Sequence, residues 1–308
     1  MTEPACRIES KSPDLTICPV CQAPAKTLFL ARDFNRGVGT DEFRYARCES
    51  CGVLFLENPP TDLAAYYSEE YHQKPRRRDL ERAALRESYQ GEFIRRNVVP
   101  GRLVEIGAAW GTFALIATRL GFDVTAIEIN EDCCTYLEKE IGVRAIRSNQ
   151  PHTVLGSLPP SRAIVLWQTL EHLPEPHALL AAAAANLESG GILVVSTPNP
   201  TAIGFRLMGA RWPHVDAPRH LWLFPIEHLT RHAQLLGLEQ VEVTTSDLGA
   251  RRWNRFAWQR FLANPTSNRL LRVGAHILGA AVSAALSPFE IRGHQGSSYT
   301  AVYRKGHG

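Results

Sequence analysis

Four cysteines in two closely spaced pairs are the residues whose types and spacing most directly indicate chemistry. Cys18 and Cys21 form one Cys-x-x-Cys pair, and Cys48 and Cys51 form the second. Two intervening residues let the chain turn so that both sulfurs of a pair face one ion, and two such pairs in a short segment are typical of tetrahedral Zn²⁺ coordination. Four protein ligands leave no open position, so we predict a structural zinc site. The alternative is four reduced structural cysteines or a redox pair.

The segment between the two cysteine pairs is predicted to form a β-hairpin. Thr27–Leu30 and Phe43–Tyr45 have the composition of short strands, and Gly37 and Gly39 lie between them, where the chain must turn. Cysteine pairs carried by such a hairpin form a zinc ribbon. A Pro-Pro dipeptide shortly after the second pair marks the end of this unit.

The second candidate site is a strand, a glycine loop, a helix and another strand in direct succession. Arg102–Ile106 is a buried-strand pattern, Gly107–Gly111 a tight loop and Thr112–Leu120 a helix, and Phe122–Ile127 is the next strand. Glycines at such a turn let a ligand approach the backbone where side chains would block it. Glu128, at the tip of the second strand, is placed to accept hydrogen bonds from both hydroxyls of a ribose. The combination predicts a cofactor that contains adenosine.

The spacing of the loop residues discriminates between such cofactors. Nicotinamide cofactors require G-x-G-x-x-G, whereas this loop reads G-A-A-W-G from Gly107 and follows Glu105 in an E-x-G-x-x-x-G pattern. An acidic residue at that position would serve a pyrophosphate poorly. It would serve a cofactor that carries a positive amino group and a sulfonium well, and the pattern favours that class.

Several segments carry a resemblance to one enzyme family. Val104–Gly111 resembles the first motif of the class I S-adenosylmethionine-dependent methyltransferases, with Ala109 where a middle glycine is usual. Glu128 matches the family's ribose-binding acid, and Leu166–Pro176 resembles the segment after the family's fourth strand. Three later segments complete the pattern: Asn186–Asn199, Pro218–Phe224 and Leu236–Leu238. The sequence is similar to the ubiquinone-type O-methyltransferase branch, and especially to its members with an N-terminal zinc ribbon.

The resemblance implies a fold and a cofactor. The fold is α/β, with a Rossmann-like, seven-stranded, doubly wound sheet, a small N-terminal zinc ribbon and a helical C-terminal insertion. The cofactor is S-adenosyl-L-methionine, whose methionine part would lie against the backbone of the loop, whose amino group Glu105 would support, and whose ribose Glu128 would hold. The predicted cofactor-binding residues are Tyr67, Glu105, Gly107, Ala109, Gly111, Glu128 and Gln168.

Two further features of the family bear on this sequence. In relatives, a Tyr-rich segment helps to close over the cofactor, and here that segment contains Tyr66, Tyr67 and Tyr71. Ubiquinone-type relatives can bind a divalent ion through a Glu-x-x-Glu-His pattern. Gln168 replaces the first acid in this chain, so we do not carry that metal site over and expect Gln168 near the transferring methyl group.

Two histidines in loops are the candidates for acid–base chemistry. His172 follows Glu171 at the carboxyl edge of the predicted sheet, and His220 lies in an aromatic, Pro-containing loop over Trp212–Phe224. A histidine with a pKa near 7 can take the proton of a hydroxyl as that hydroxyl attacks a methyl group. We therefore predict His220 or His172 as the catalytic base. The alternative for each is a structural hydrogen bond that holds its loop.

Composition and charge bound the class of protein. The 308 residues are 44% hydrophobic and 21% charged, with a formal net charge of +3, which is typical of a soluble globular protein. The even charge balance does not require a nucleic acid as partner. The first residues, MTEPACRIESKSPD, lack the apolar core of a secretory leader, so we predict a cytoplasmic protein.

The C-terminal third contains a basic, aromatic segment followed by an apolar one. Leu248–Phe289 has six arginines and no acidic residue. Such a segment can lie on an anionic membrane surface, so a cytoplasmic protein with peripheral membrane contact through residues 248–289 is one interpretation. The segment could also cap the active site over an acidic or lipid-linked substrate. A helical subdomain packed on the sheet, or a dimer contact, is another interpretation, and nucleic-acid binding is a further one.

These observations predict the organisation of the chain and its activity. The expected units are residues 1–58, tail and zinc ribbon; 59–100, helical lead-in and cofactor lid; 101–247, methyltransferase core; 248–296, helical insertion; and 297–308, last core strand and tail. The resemblance implies methyl transfer to a small molecule, with oxygen as the expected acceptor atom. The alternatives are an RNA-modifying methyltransferase that uses the ribbon and the basic insertion to hold phosphate, and a non-catalytic cofactor-binding scaffold.

Overall fold

The computed structural model describes residues 15–67 and 73–306 of the chain. Twelve β-strands lie within these residues and form two sheets, one of five strands and one of seven. The strands are β1 (Leu15–Ile17), β2 (Pro24–Ala31), β3 (Phe43–Cys48), β4 (Leu54–Leu56), β5 (Arg102–Ile106), β6 (Asp123–Glu128), β7 (Arg144–Arg147), β8 (Ser161–Trp167), β9 (Leu187–Pro198), β10 (Trp222–Leu223), β11 (Leu238–Thr244) and β12 (Ser298–Lys305).

The seven-stranded sheet has the strand order β11–β12–β9–β8–β5–β6–β7. The five strands from β9 to β7 are parallel, whereas β12 runs antiparallel to both β9 and β11. The apolar centre of β8, Ile164–Leu166, is fully buried, as expected for a parallel strand with helices on both faces. The predicted α/β fold with a seven-stranded, doubly wound sheet is confirmed.

Ten α-helices are present in the described residues. The predicted helical segment before the sheet is divided into α1 and α2, and α4 continues as a π-helical turn over Leu137–Ile141. The helices are α1 (Arg77–Arg86), α2 (Tyr89–Arg95), α3 (Thr112–Arg119), α4 (Glu131–Tyr136), α5 (Pro151–Ser157), α6 (Pro176–Asn186), α7 (Ile203–Met208), α8 (Ile226–Leu235), α9 (Leu248–Ala263) and α10 (Arg269–Ile291).

The five-stranded sheet is antiparallel and joins the N-terminal segment to the rest of the chain. The predicted hairpin is present, because β2 pairs with β3 from Ala25 opposite Cys48 to Ala31 opposite Phe43. Its last strand was not anticipated: β10 pairs with β4 and comes from the loop that carries His220. The N-terminal sheet is therefore completed by a distant segment of the chain.

The C-terminal insertion forms a helical hairpin, α9 followed by α10, between β11 and β12. α9 packs on the core through residues such as Ala257 and Trp258, and the indole Nε1 of Trp258 donates to Glu290 Oε1 at 3.1 Å. Gly279 lets the two helices meet closely, because a Cβ at that position would lie 2.6 Å from the Cα of Gln259.

The outer face of α10 is apolar and exposed. Leu270, Leu271 and Ile277 are all more than 60% exposed. The helical stretch Arg269–His294 is long and apolar enough to cross a membrane by length and composition, and only 11% of its most apolar window is buried. The insertion thus combines a packed helix with one that presents an apolar surface.

Candidate active site

The glycine loop lies between β5 and α3, at the carboxyl edge of the parallel strands. Gly107, Ala109 and Gly111 all have a positive φ, of 73°, 46° and 76°. Glycine adopts this conformation without strain, whereas an alanine does so at a cost of roughly 1–2 kcal/mol. The loop therefore turns sharply enough to present its backbone to the edge of the sheet, with Ala109 as its one strained non-glycine position.

Close packing explains why the first loop position is glycine. A Cβ on Gly107 would lie 2.5 Å from the Cγ2 atom of Thr169, a distance that only displacement of Thr169 could relieve. Thr169 leads directly into a short 3-10 turn, Leu170–His172. The glycine loop and the segment that carries His172 are therefore in contact.

Glu128, at the end of β6, is held by backbone donors. Its Oε2 accepts from the N–H of Ala109 at 2.8 Å, and its Oε1 accepts from the N–H groups of Ile129 and Asn130 at 2.9 and 3.0 Å. The Asn130 side chain caps α4. This arrangement fixes the Glu128 carboxylate beside the glycine loop.

Glu105, under the loop, is a buried acid without a full set of partners. It is 3% exposed, and its Oε2 has no hydrogen-bond partner among the described residues. Burial, together with the charge of Glu128, raises the pKa of Glu105 well above its usual value. A positively charged group placed here would satisfy the orphaned oxygen and lower that pKa.

Gln168 follows β8 in a left-handed conformation, with a φ of 52°. Its Nε2 donates to the hydroxyls of Ser196 and Ser298 at 2.9 and 3.0 Å. The side chain thus links β8 to β9 and β12 at the carboxyl edge of the sheet. Trp167, just before it, packs against Phe93 and Phe113.

The structure brings His172 and His220 together. Their rings meet edge to face, with centroids 4.6 Å apart. The Nδ1 atom of His172 lies 3.0 Å from the carbonyl oxygen of Arg219, and that of His220 lies 2.9 Å from the carbonyl oxygen of His214. Because a carbonyl oxygen can only accept, each Nδ1 carries the proton and each Nε2 is left with its lone pair.

Burial keeps both imidazoles neutral. Desolvation and the neighbouring His172 lower the pKa of His220 to about 3, and desolvation also lowers the pKa of His172. His220 is 7% exposed, whereas His172 is only partly buried. At pH 7 both imidazoles are neutral and keep a lone pair on Nε2, but a pKa of about 3 makes His220 a weak base. His172 is also the more accessible of the two.

Glu171 adds a third ionisable group to this cluster. It is fully buried, its Oε2 accepts from the Thr197 hydroxyl at 3.0 Å, and its Oε1 has no partner among the described residues. One potential ligand atom from each of Glu171, His172 and His220 lies within 4.8 Å of the other two. Burial raises the pKa of Glu171 to about 8, so without a cation beside it this acid is largely protonated at neutral pH.

The N-terminal hairpin supports this cluster through a buried ion network. Arg219 is 1% exposed and donates to both oxygens of Asp33, at 2.6 and 3.0 Å, and to both oxygens of Asp216, at 2.8 and 2.9 Å. The carbonyl oxygen of Arg219 accepts a hydrogen bond from His172 Nδ1, and the Tyr45 hydroxyl donates to the carbonyl oxygen of His220 at 2.6 Å. Asp33 and Tyr45 of the hairpin therefore hold the backbone segment that contains Arg219 and His220, and this segment in turn orients His172.

The Tyr-rich segment is described only in part. The hydroxyl of Tyr67 lies 3.2 Å from His172 Nδ1, which places Tyr67 at the histidines. Tyr66 is buried and its hydroxyl donates to Asp41 Oδ2 at 2.5 Å. Tyr71 lies outside the described residues.

The four cysteines of the N-terminal sheet converge. Their sulfurs all lie within 4.8 Å of one another, with Cys18 and Cys51 3.8 Å apart and Cys21 and Cys48 3.4 Å apart. Tetrahedral Zn–S bonds of about 2.3 Å place ligand sulfurs about 3.8 Å apart. Burial opposes ionisation of Cys48, but the backbone N–H groups of Cys51 and Ser50 and the adjacent thiols lower its pKa to about 7. Burial raises the pKa of Cys18 and of Cys51, a shift that a bound cation would oppose. The geometry and the chemistry of the donors fit a zinc ion.

A family model matches this architecture. The model of a methyltransferase domain matches residues 72–243, more than half of the chain. The chain belongs to the class I S-adenosylmethionine-dependent methyltransferases. The matched range contains the glycine loop, Glu128 and both candidate histidines, and it begins after the N-terminal hairpin.

Curated relatives share the central part of the chain. The ubiquinone biosynthesis O-methyltransferase of Xanthomonas campestris pv. campestris strain B100 is 31% identical over 126 residues, 38% of this chain and 52% of the relative. The protein of the same description from Caulobacter sp. strain K31 is 30% identical over 134 residues, 39% of this chain and 52% of the relative. The match therefore spans about half the length of these relatives.

A solved structure has the same fold. A SAM-dependent methyltransferase from Archaeoglobus fulgidus aligns with 79% of this chain and 100% of its own, with a TM-score of 0.51 and 18% sequence identity. At this identity the similarity concerns the fold alone.

Sequence reasoning missed the residues that support the histidines. Asp33, Tyr45 and Arg219 carry no local motif, and Asp33 is 186 residues from its partner Arg219. The available signal was an Arg immediately before His220 together with an Asp in the hairpin, but a single sequence does not indicate that these positions meet.

Proposed function

We propose that the chain transfers the methyl group of S-adenosylmethionine to a hydroxyl oxygen of a small molecule. The observation that supports this proposal is the close packing of Gly107 in the glycine loop against Thr169, the residue that leads into the turn ending at His172. The name of the relatives, ubiquinone biosynthesis O-methyltransferase, supports oxygen as the acceptor atom. A phenol-like acceptor is the class that fits a histidine base.

The described residues fit the cofactor. The orphaned Oε2 of Glu105 is a partner for the cofactor's amino group, directly or through water. Gly107, Ala109 and Gly111 expose backbone to its methionine part, and Glu128 accepts from the ribose hydroxyls. Tyr67 would contribute to closing the site, and Gln168, fixed by two serine hydroxyls, would border the reacting centre.

The chain's own residues position the acceptor and move one proton. When bound, the cofactor supplies a methyl carbon that its sulfonium makes electrophilic. His172 takes the acceptor hydroxyl's proton on Nε2 as the oxygen attacks, because the Arg219 carbonyl holds its Nδ1–H. His220 packs against the ring and limits its rotation. Alignment of donor and acceptor is a major source of rate in such a transfer.

The cysteine site is proposed to hold a structural Zn²⁺. Its contribution to the reaction is indirect, since it stabilises the sheet from which Asp33 and Tyr45 reach the histidine loop. Metal analysis of the purified protein tests this. Wild type is expected to contain zinc that Cys48→Ser loses together with stability, and a zinc-free wild type of full stability would contradict it.

Methyl transfer is tested by incubating the protein with methyl-labelled S-adenosylmethionine and separate acceptor pools. The pools are simple ortho-dihydroxy phenols, the small-molecule fraction of a cell lysate and total RNA. Label in an ether of a small molecule supports the proposal. Label in RNA, with binding that weakens steeply as salt rises, would replace it with RNA modification. Cofactor binding with no labelled product in any pool would support a non-catalytic scaffold.

The cofactor site is tested separately through Glu128. Glu128→Ala is expected to weaken S-adenosylhomocysteine binding by about 1–3 kcal/mol, the scale of lost charged hydrogen bonds. Isothermal titration measures this, with Glu131→Ala, an exposed acid three residues later, as the matched control. Equal affinities of wild type and Glu128→Ala would exclude the ribose assignment.

We also propose peripheral contact of α10 with an anionic membrane surface. Its exposed face contains Leu270, Leu271 and Ile277, and Arg269 and Arg272 flank these residues. Apolar burial combined with basic residues is the pattern of interfacial helices. Co-sedimentation with phosphatidylglycerol vesicles is expected for wild type and should be lost in Leu271→Asp/Ile277→Asp. No binding to these vesicles, or binding that the variant retains, would contradict the contact.

A further inference from the structure

Four arginines lie where the loop of the N-terminal hairpin meets the helical insertion. Arg36 belongs to the loop between β2 and β3, Arg211 to a 3-10 turn after α7, Arg260 to α9 and Arg272 to α10. Arg260 is half-buried, and the other three are exposed. We refer to these four residues as the arginine cluster.

Side chains of α9 fasten the hairpin loop to the insertion. The guanidinium of Arg260 donates to the carbonyl oxygen of Asn35, the residue before Arg36, and the Nδ2 of Asn264 donates to the carbonyl oxygen of Phe34 at 2.6 Å. These two bonds hold the backbone that carries Arg36 against the end of α9. The loop and the insertion therefore present their arginines at one junction.

The other two guanidinium groups are oriented by aromatic rings and by a backbone carbonyl. The guanidinium of Arg211 lies 5.3 Å from the ring centroids of both Phe34 and Phe261. The Nη2 of Arg272 donates to the carbonyl oxygen of Thr266, in the connection between α9 and α10, at 3.1 Å. A guanidinium carries several N–H donors, so both groups keep donors for a further acceptor.

Two acids near the cluster are already engaged elsewhere. Asp33 and Asp216 attract Arg260, but both carboxylates accept hydrogen bonds from Arg219. Within residues 15–67 and 73–306, Arg260 itself forms no ion pair and bonds to a carbonyl oxygen instead. The positive charge of the junction is therefore not balanced by the acids beside it.

The like charges of the cluster oppose one another. Burial lowers the pKa of Arg260, and the positive charges of Arg272 and Arg36 lower it further. A bound anion would offset this repulsion. Guanidinium groups match phosphate in particular, because their N–H donors pair with two oxygens at once.

The apolar residues beside the cluster indicate what carries the anion. Leu270 and Leu271 directly precede Arg272 in the first turn of α10 and are 82% and 64% exposed. A nucleic acid or a free phosphate ion offers these leucines no apolar region to enter. A phospholipid has its phosphate next to its acyl chains, so it can meet the guanidinium groups and the leucines together.

We propose that the arginine cluster binds the phosphate of an anionic phospholipid headgroup while Leu270 and Leu271 enter the adjoining acyl region. The inference rests on the membrane contact of α10 proposed above and adds a defined headgroup site to it. The hairpin loop, through Arg36, then lies at the membrane surface together with the start of α10.

The test is vesicle co-sedimentation of the full chain with phosphatidylcholine alone and with added phosphatidylglycerol. Arg36→Gln/Arg272→Gln removes two exposed members of the cluster. Arg251→Gln/Arg255→Gln removes the same charge from exposed positions in the first part of α9 and is the matched control. Binding to the mixed vesicles should weaken by roughly 10–100-fold in the cluster variant, the scale of two lost charged contacts, and should change much less in the control.

The outcomes separate the headgroup site from the membrane contact. Equal weakening in the cluster and control variants would overturn the site and leave the contact, because diffuse positive charge would then explain the binding. Wild type that binds both kinds of vesicle equally would also overturn the site, and this result requires no variant to fold. Wild type that binds neither kind of vesicle, or that binds total RNA instead, would overturn the site and the contact together.

Discussion

The glycine loop and the histidine pair adjoin each other at Thr169, but they are built in different ways. The loop and its acids, from Glu105 to Glu128, belong to one strand–loop–helix–strand unit, and the backbone donors that hold the Glu128 carboxylate lie within this unit or directly after it. The segment Arg219–His220, which contains one histidine and binds the other, is held in place by Asp33 and Tyr45 of the N-terminal hairpin. One half of the site is therefore local, and the other is assembled from distant segments.

This difference predicts how each half tolerates change. A substitution in the loop should affect cofactor binding and leave the histidines in place. A substitution in the hairpin should displace the histidines while the cofactor loop, supported by its own strands, remains intact. A variant that changes only cofactor affinity, or only kcat, would support the division into two halves. A variant that changes both equally would contradict it.

The largest effect is expected for His172→Ala. General-base catalysis contributes about 10²–10⁴-fold, so kcat should fall within that range while the Kd of S-adenosylhomocysteine stays unchanged. Single-turnover rates and isothermal titration measure the two quantities. His220→Ala should lower kcat less, since His220 acts by packing against the base. A His172→Ala variant with wild-type kcat would remove His172 from the reaction.

The second largest effect is expected for Asp33→Ala, which removes one acid of the buried ion network around Arg219. Asp33→Ala leaves Arg219 with fewer partners in the interior, and breaking a buried pair costs about 3–5 kcal/mol. We expect a loss of unfolding free energy of that order, a fall in kcat and an unchanged cofactor Kd in the protein that remains folded. Chemical denaturation, rate measurements and titration give the three values.

Glu42→Ala is the control for Asp33→Ala within the same hairpin. Its partner Arg32 is exposed, and an exposed ion pair contributes about 1 kcal/mol or less. If Asp33→Ala behaved like Glu42→Ala, or weakened cofactor binding as strongly as it lowered kcat, the hairpin would not be the support of the histidine half.

The same contrast explains what the sequence could predict. Strand periodicity, the glycine spacing and the acid at residue 128 are local patterns, so the βα unit and the hairpin between the cysteine pairs were predictable from them. The seven-stranded fold was predicted from the resemblance to a known family. The pairing of β10 with β4 and the contact of Asp33 with Arg219 join segments whose sequences carry no mutual signal. The meeting of His172 with His220 depends on those pairings, and the sequence could name both residues without indicating that they touch.

Glu171 provides a pH-dependent test of the histidine half. Burial raises its pKa from 4.5 to about 8, so the folded state binds a proton that the unfolded state has released. Its contribution to stability is complete below pH 4.5 and is lost as pH rises to about 8, an effect on the order of 4 kcal/mol. Wild type should lose stability between pH 6 and 8, and the isosteric Glu171→Gln should lose less.

Urea denaturation from pH 6 to 9 measures this slope. Glu175→Gln, an exposed acid of the same loop, should leave the wild-type slope unchanged. Parallel slopes for wild type and Glu171→Gln would mean that Glu171 titrates normally, and the burial of the histidine half would not control its protonation.

The smallest effect is expected in the local half, at Ala109. A φ of 46° is strained for alanine by roughly 1–2 kcal/mol, whereas a glycine would add about 0.4–1 kcal/mol of unfolded-state entropy. Ala109→Gly should therefore stabilise the fold by about 1 kcal/mol or less. Because the substitution leaves the loop in its present conformation, kcat should not change.

Ala108→Gly is the matched control, because Ala108 has no positive φ and its substitution should destabilise the fold. The denaturation midpoints of the two variants measure these changes in stability. A loss of stability in both variants would mean that packing around Ala109 imposes the loop conformation. The cofactor half of the site would then depend on more distant contacts than its sequence pattern indicates.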